Sequence, residues 1–353
     1  MNLHRDCRHF QGDRPCKPHK EFGVHCDGCD HYDKVKERIL IVKLGAAGDV
    51  IRTTPLLRRL RQEYPSAHIT WLSDFPELLP SAVDRPVKLN ERTLTWLRTL
   101  EFDLACVLDK DPEAIALAER VKAVRKVGFG MDEWGHARAL NPEAEDKIVT
   151  GIFDDVSRAN TKSYPQEILE LCGFDYRGER YMLERKVQRD WKLPNRHPLI
   201  GLNTGSGGRW ISRMWPEEHW AQLGIRLQKA GCEILWLGGL QEDERNLRLL
   251  KQAGGTYAGH FSLEEFVDLM AHTDVVVTQV TMAFHIAIGL ERRVVLMNNI
   301  FNPNEFELYG LGRIVEPDPP CDCYYTPVCP HDSMKNITPA MVFEAVQAEC
   351  KSL

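Results

Sequence analysis

Short apolar runs recur along the chain, and most are followed by a stretch whose apolar positions return every three or four residues. That alternation predicts strands and helices in turn. Ile39-Leu-Ile-Val42 reads as a buried strand, and a helix begins at Asp49 with Val50, Ile51, Leu56, Leu57 and Leu60 on its apolar side. Ile69 to Leu72 and Leu104 to Leu108 read as further strands, and Pro112 to Lys122 as a helix. The polar stretch from Gly128 to Thr161 reads as irregular. Around Arg185 to Pro198 the composition turns charged and proline-bearing, which marks a linker. A second alternation then begins. Strands are expected at Leu199–Leu202, Glu233–Leu237, Val275–Thr278 and Val294–Met297. Helices are expected at Pro216–Ala230, Glu242–Gln252 and Leu263–Ala271, from Thr281, and at Met341–Cys350. Two such series joined by a linker imply two doubly wound α/β domains, residues 37–185 and 186–353, facing each other across a cleft. The final helix is free to pack back on the first domain. Residues 1–36 lack an amphipathic period and form a small appendage.

The length of 353 residues agrees with two domains, and 43% hydrophobic with 27% charged residues is ordinary for a soluble protein. A net charge of −6 argues against a general nucleic-acid binder. No apolar run approaches the roughly 18 residues of a membrane span, and the start of the chain is no signal peptide. The expected location is the cytoplasm, with peripheral membrane contact left open.

Eleven cysteines are many for that compartment. Cys106, Cys172 and Cys232 sit singly in apolar surroundings and read as core. Cys7-x8-Cys16-x9-Cys26-x2-Cys29 ends in a Cys-x-x-Cys knuckle, in a segment with no apolar core of its own. Structural zinc holds such segments because ligand bonds replace hydrophobic burial. His9, His19, His25 and His31 are possible substitutes for any one thiol; redox-active or disordered cysteines are the plainer alternative. A second set is Cys321-x-Cys323-x5-Cys329-x-His331.

Three strand ends carry candidate chemistry. The first runs into Gly45-Ala-Ala-Gly48 and Asp49, beyond the carboxyl end of a strand, where open α/β sheets place ligands. A carboxylate there suits a base that takes a proton from a bound hydroxyl, although Asp is also a favoured helix cap. The spacing is not Gly-x-Gly-x-x-Gly, so a nicotinamide fingerprint fails. The second runs into Thr204, Gly205, Ser206, Gly207 and Gly208, then Arg209 and Arg213. Glycines let backbone N–H groups approach an anion, and arginine can clasp two phosphate oxygens. A glycine hinge with surface arginines is the alternative. At the third, a helix starts near Thr281, and its N-terminus and His285 face the same way. A core histidine is the alternative for His285.

In order and spacing these segments resemble glycosyltransferase family 9, the ADP-heptose–lipopolysaccharide heptosyltransferases, over about residues 38 to 345. The most specific parts are Lys43-Leu-Gly-Ala-Ala-Gly-Asp-Val-Ile51, Arg213-Met-Trp-Pro-Glu-Glu-His-Trp220, and Thr281 to Gly289. The resemblance implies a GT-B fold of two Rossmann-like domains, with acceptor on the first and nucleotide sugar on the second. It implies inversion of the anomeric centre without a catalytic metal. Asp49 falls on the general base, Arg213 on a position where a lysine usually contacts the phosphates, and Thr281 and His285 on the diphosphate-binding helix start. Two departures stand out: Val280 replaces an acid, and Asn298 to Glu305 replaces a Phe-Gly-Pro-Thr segment. Cysteine groups like the second one occur in some members, iron-binding protein heptosyltransferases among them. The implied donor is a nucleotide sugar such as ADP-heptose, and the acceptor a glycan, glycolipid or protein. A non-catalytic scaffold docking a partner through the cysteine module, and a sugar-nucleotide epimerase, are the alternatives.

Overall fold

Strands covered on both faces lose the alternation of polar and apolar positions, and Ile39 to Val42 are all inaccessible to solvent. In the computed structural model, which describes residues 2–195, 198–208 and 210–353, they form β1 (Arg38–Val42). Its sheet is completed by β2 (His68–Ser73), β3 (Arg85–Lys88), β4 (Glu101–Val107), β5 (Lys122–Met131) and β6 (Ala137–Ala139). The order is β3-β2-β1-β4-β5-β6, parallel except for the last pair. A second sheet consists of β7 (Leu199–Asn203), β8 (Glu233–Leu237), β9 (Thr256–Tyr257), β10 (Val275–Gln279), β11 (Arg293–Met297) and β12 (Gly312–Val315). Its order is β12-β11-β10-β7-β8-β9, parallel throughout. Within each sheet the first and fourth strands are neighbours, and the strand order reverses there: the Rossmann-like arrangement in both halves.

The chain divides into two compact units. One holds Met1–Gly45, Pro55–Ile148 and Ile168–Glu179; the other holds Ala46–Thr54, Val149–Glu167 and Arg180–Leu353. The core of the first is built on Leu40, Val42, Leu72, Ala105 and Val107 with Leu97, Leu117 and Ala118 from flanking helices. In the second, Ile200, Leu202, Ile234, Trp236, Val275 and Val277 meet Trp215, Trp220 and Leu223.

Three expectations require correction. The helix expected from Asp49 is two helices, Ala47–Thr53 and Pro55–Glu63. Pro55 has no N–H to give to the preceding turn, and the two pieces belong to different units. Residues 128–161 are not irregular. They contain the end of β5, all of β6, and the helices Pro142–Ile152 and Asp154–Ala159. Those helices bury only Ala144, and Ile152 and the intervening Phe153 are exposed, so neither helix presents a buried face to the core. The final helix, Pro339–Cys350, packs on the sheet of its own unit, with Val342, Ala345 and Val346 in that core.

Candidate functional site

The second sheet's reversal point lies between β7 and β10, and the segments leaving both strands are tied together. Asn203 Nδ2 donates to Thr278 Oγ1 at 3.0 Å and to the Gly205 carbonyl at 3.2 Å. Thr281 caps the helix Met282–Gly289, its hydroxyl accepting from the Ala283 N–H at 3.2 Å. Two glycines shape the loop after β7. Gly207 has φ +70°, in the left-handed region, and a Cβ on Gly205 would lie 2.6 Å from Glu242 Cδ.

Thr204 is fully engaged. Its N–H donates to the Leu237 carbonyl, its hydroxyl donates to Asn246 Oδ1, and its carbonyl accepts from Arg245. Beyond it the donors are unspent. Among the described residues, the backbone N–H groups of Gly205, Ser206, Gly207 and Gly208 have no acceptor, and the buried Ser206 Oγ has no partner. Arg213 closes the loop: its guanidinium donates to the Val280 carbonyl and, at 2.8 Å, to the Ser206 carbonyl. The aromatic rings of Trp210 and Phe301 stand 5.8 and 5.9 Å from its Cζ. Burial pulls this arginine down to about 10, and among the described residues no carboxylate pairs with it. Buried cations require a counter-charge. An anionic ligand would supply one. Arg209 lies outside the described residues.

Asp49 sits at the third position of Ala47–Thr53, in the same unit. One carboxylate oxygen accepts from the Ala46 N–H at 3.2 Å, and the other lies 2.9 Å from Arg52 Nε, an ion pair in which that N–H is not aligned for a hydrogen bond. The capping and chemical readings are therefore compatible, because the carboxylate remains one-third exposed. Arg52 also donates to Glu305 Oε1 at 2.7 Å and lies 3.6 Å above the Tyr164 ring. Burial works against its charge, yet Asp49 and Glu305 outweigh burial and hold its pKa well above the ordinary value. Sequence reasoning missed Arg52, Glu305 and Tyr164. The Asp49/Arg52 spacing of three on a helix was the available signal; Glu305 is 253 residues away and gave none.

His285 lies against this helix. A Cβ on Gly48 would come within 2.7 Å of His285 Cδ2 and 3.4 Å of Met282 Cα, so Gly48 serves close helix packing. The imidazole is buried, contacts Tyr181 Oη at 3.3 Å through Nδ1, and is pushed down to about 3 by burial and by Arg52. It is neutral near pH 7. Gly45 falls in the other unit. Its N–H lies 3.3 Å from Asp109 Oδ2 and its carbonyl accepts from Lys43, whose ammonium also pairs with Asp109. That glycine has no spare donor for an anion.

The segment that departs from the family pattern has structural work here. The Asn302 amide donates to the carbonyls of Ser157 and Asn160, and the Asn299 amide to the Ser212 carbonyl and Ser333 Oγ. The cysteines divide. Cys321, Cys323 and Cys329 bring their sulfurs within 4.8 Å of one another and could hold a metal with three ligands; His331 is not in that group, a correction to the expected set. Burial raises the Cys329 thiol, but hydrogen bonds from Ser333 and Cys323 outweigh it and bring it down to about 6. Cys7, Cys16, Cys26 and Cys29 line a common cavity instead.

Two Rossmann-like sheets, one in each unit, are the GT-B class of fold, and the unspent donors at the second reversal point suit an anionic group. The family model for glycosyltransferase family 9 (heptosyltransferase) matches residues 94–311, and the chain belongs to that family. It is similar to lipopolysaccharide heptosyltransferase 2 of Salmonella typhimurium, 25% identical over 298 residues, 76% of this chain and 84% of that protein. A glycosyl transferase family 9 structure from Veillonella parvula superposes with a TM-score of 0.70 at 18% identity, covering 90% of this chain and 98% of that one. The E. coli ADP-heptose lipopolysaccharide heptosyltransferase II does so at 0.65 and 20%, covering 89% and 99%. The protein is a glycosyltransferase. Among the described residues no helix is long and apolar enough to cross a membrane.

Proposed function

We propose that the chain transfers a heptosyl group from a nucleoside-diphospho-heptose to an acceptor hydroxyl with inversion at the anomeric carbon. The donor is ADP-heptose, the sugar nucleotide named for one of its structural relatives, and the acceptor is a glycolipid of the lipopolysaccharide kind. Residues 37–185 are assigned to the acceptor and residues 186–353 to the donor. Asp49 accepts the hydroxyl proton while the oxygen attacks the anomeric carbon; the bond from that carbon to the diphosphate breaks, and its electron pair leaves with the nucleoside diphosphate.

Charge growing on the departing phosphate is met by the N–H groups of Gly205 to Gly208, the Ser206 hydroxyl, Arg213 and the start of the Thr281 helix. The observation that carries this reading is the half-buried Arg213, without a carboxylate partner among the described residues, beside a loop whose donors are unspent. Because Arg213 already holds two carbonyls, it acts as a fixed positive pin more than as a free clasp. Arg52 is a positioning residue: it and the Ala46 N–H fix the direction of the Asp49 carboxylate. A well-placed base of ordinary strength gains from geometry what it lacks in basicity.

The test is a thermal-shift screen with ADP, UDP and GDP, followed by nucleotide release from ADP-heptose with and without a heptose-deficient lipopolysaccharide acceptor. The reading expects ADP to stabilise the protein, by about 2.7 kcal/mol at a hundredfold excess over Kd, and acceptor-dependent release. Stabilisation without turnover would support a scaffold. Isomerised donor without acceptor would support an epimerase.

A further inference from the structure

Residues 2–38 bury a single residue, Pro18, among those described. Yet the segment is folded around a cavity of about 320 Å³ whose lining comes wholly from residues 3–32. Arg8 pairs with Asp33 inside the segment and fastens it to the rest of its unit through Asp84 and the Ala67 carbonyl. A segment with so little apolar burial needs another source of order. Four thiols and several imidazoles face the cavity, and none of the thiols is in a disulfide.

One imidazole differs from the rest. His19 lies on the helix Lys17–Phe22, and its Nδ1 is 2.8 Å from the Val24 carbonyl. A carbonyl only accepts, so Nδ1 is the donor in this contact, and Nε2 is the nitrogen left over for a ligand. Fixing one ring nitrogen on a carbonyl is how a histidine is oriented for a metal on the other. His4 instead lies tilted against Tyr32, at 4.4 Å between centroids, and His31 stacks on Phe22, at 4.5 Å.

Cys16 is the N-cap of that same helix, three residues before His19. Cys26 and Cys29 have the same separation, across a turn in which the Cys29 N–H donates to the Cys26 carbonyl and Gly28 is left-handed. The cavity therefore carries two local pairs, Cys16-x2-His19 and Cys26-x2-Cys29.

We propose that these four residues form a tetrahedral zinc site, with His19 taking the place that spacing alone would give to Cys7. Each pair closes a short loop, so chelation orders little chain that the fold has not already ordered. Three thiolates and one imidazole fill the coordination sphere of a structural zinc. Cys7 lies on a separate bridge to Lys34 and is left as a cavity-wall residue. Among the described residues no three of these ligand atoms stand within 4.8 Å of one another, so the proposal requires the two pairs to come closer when zinc binds.

The experiment uses the full chain with Cys321, Cys323 and Cys329 all changed to Ser, which removes the other thiol group. Bound metal is measured in the purified protein, and the stripped protein is titrated with zinc alone and with cobalt(II). The expected result is a single zinc per chain, the cobalt spectrum of a tetrahedral thiolate site, and zinc-dependent protection of residues 1–36 from proteolysis. Cys7→Ser should retain all three signals. Cys29→Ser should lose them, and His19→Ala should weaken zinc binding about tenfold or more and shift the cobalt bands. Loss in Cys7→Ser with no change in His19→Ala would overturn the ligand assignment. Absence of zinc, or iron in its place, would overturn the site.

Discussion

Replacing Arg52 separates positioning from packing. Its guanidinium holds Asp49 at 2.9 Å and Glu305 at 2.7 Å and lies 3.6 Å over Tyr164, with 13% of the side chain exposed. Breaking a fully buried pair costs about 3–5 kcal/mol, whereas an exposed pair contributes at most about 1 kcal/mol. Asp49 is 34% and Glu305 25% exposed, so water recovers part of the loss. Arg52→Ala should then destabilise the protein by about 2–3 kcal/mol, read from urea unfolding near neutral pH. Freed from its ion pair, the Asp49 carboxylate turns about its own side chain; a misplacement near 1 Å costs about 100-fold in rate. The expected signature is a fall in kcat of that order with little change in the donor KM. Arg52→Lys, which keeps a charge but neither the planar fork nor the stacking, should fall between. If Arg52→Ala lost the stability but kept kcat within about twofold, at temperatures where it remains folded, Arg52 would serve packing alone and would not position Asp49.

Other expectations follow from the same geometry. Arg213→Met should raise the donor KM and abolish stabilisation by ADP, measured by thermal shift, while Arg213→Lys should recover part of both, because an ammonium keeps the charge but lacks the planar fork that spans the Val280 and Ser206 carbonyls. His285 has a folded pKa of about 3 against 6.5 when free, so between those values the unfolded chain binds a proton that the native one refuses. Its contribution is present above pH about 6.5 and is lost as pH falls, at up to about 1.4 kcal/mol per pH unit. His285→Gln should flatten the acid limb of a stability–pH profile, and an unchanged limb would contradict the assigned burial. Gly48→Ala drives a methyl to 2.7 Å from His285 Cδ2. Overpacking of about 1–3 kcal/mol is partly offset by about 1 kcal/mol of helix propensity, so a modest drop in melting temperature is expected.

The fold was legible where burial is two-sided. Ile39 to Val42 and Val275 to Thr278 read as strands because neither face is polar, and Thr281 marked its helix because its hydroxyl caps it. The strand Arg85–Lys88 was invisible because only Arg85 and Val87 are partly shielded, while Pro86 and Lys88 are exposed. The anion loop could be located from Gly205, Gly207 and Arg213, but not the fact that Arg213 already grips Val280 and Ser206. That depends on a backbone carbonyl far along the chain. Likewise the doublet spacing of Cys16 and His19 was present in the sequence, but nothing in it marked His19 above His9 or His25. Only the Val24 carbonyl does that.

The central claim is that Asp49 removes the acceptor proton. With ADP-heptose and acceptor both saturating, ADP release should be followed for wild type and for Asp49→Asn, which keeps the shape and the contact to Ala46 but accepts no proton. In Asp49→Asn kcat should fall about 10²- to 10⁴-fold with ADP-induced stabilisation intact. Equal rates from the two proteins would contradict it.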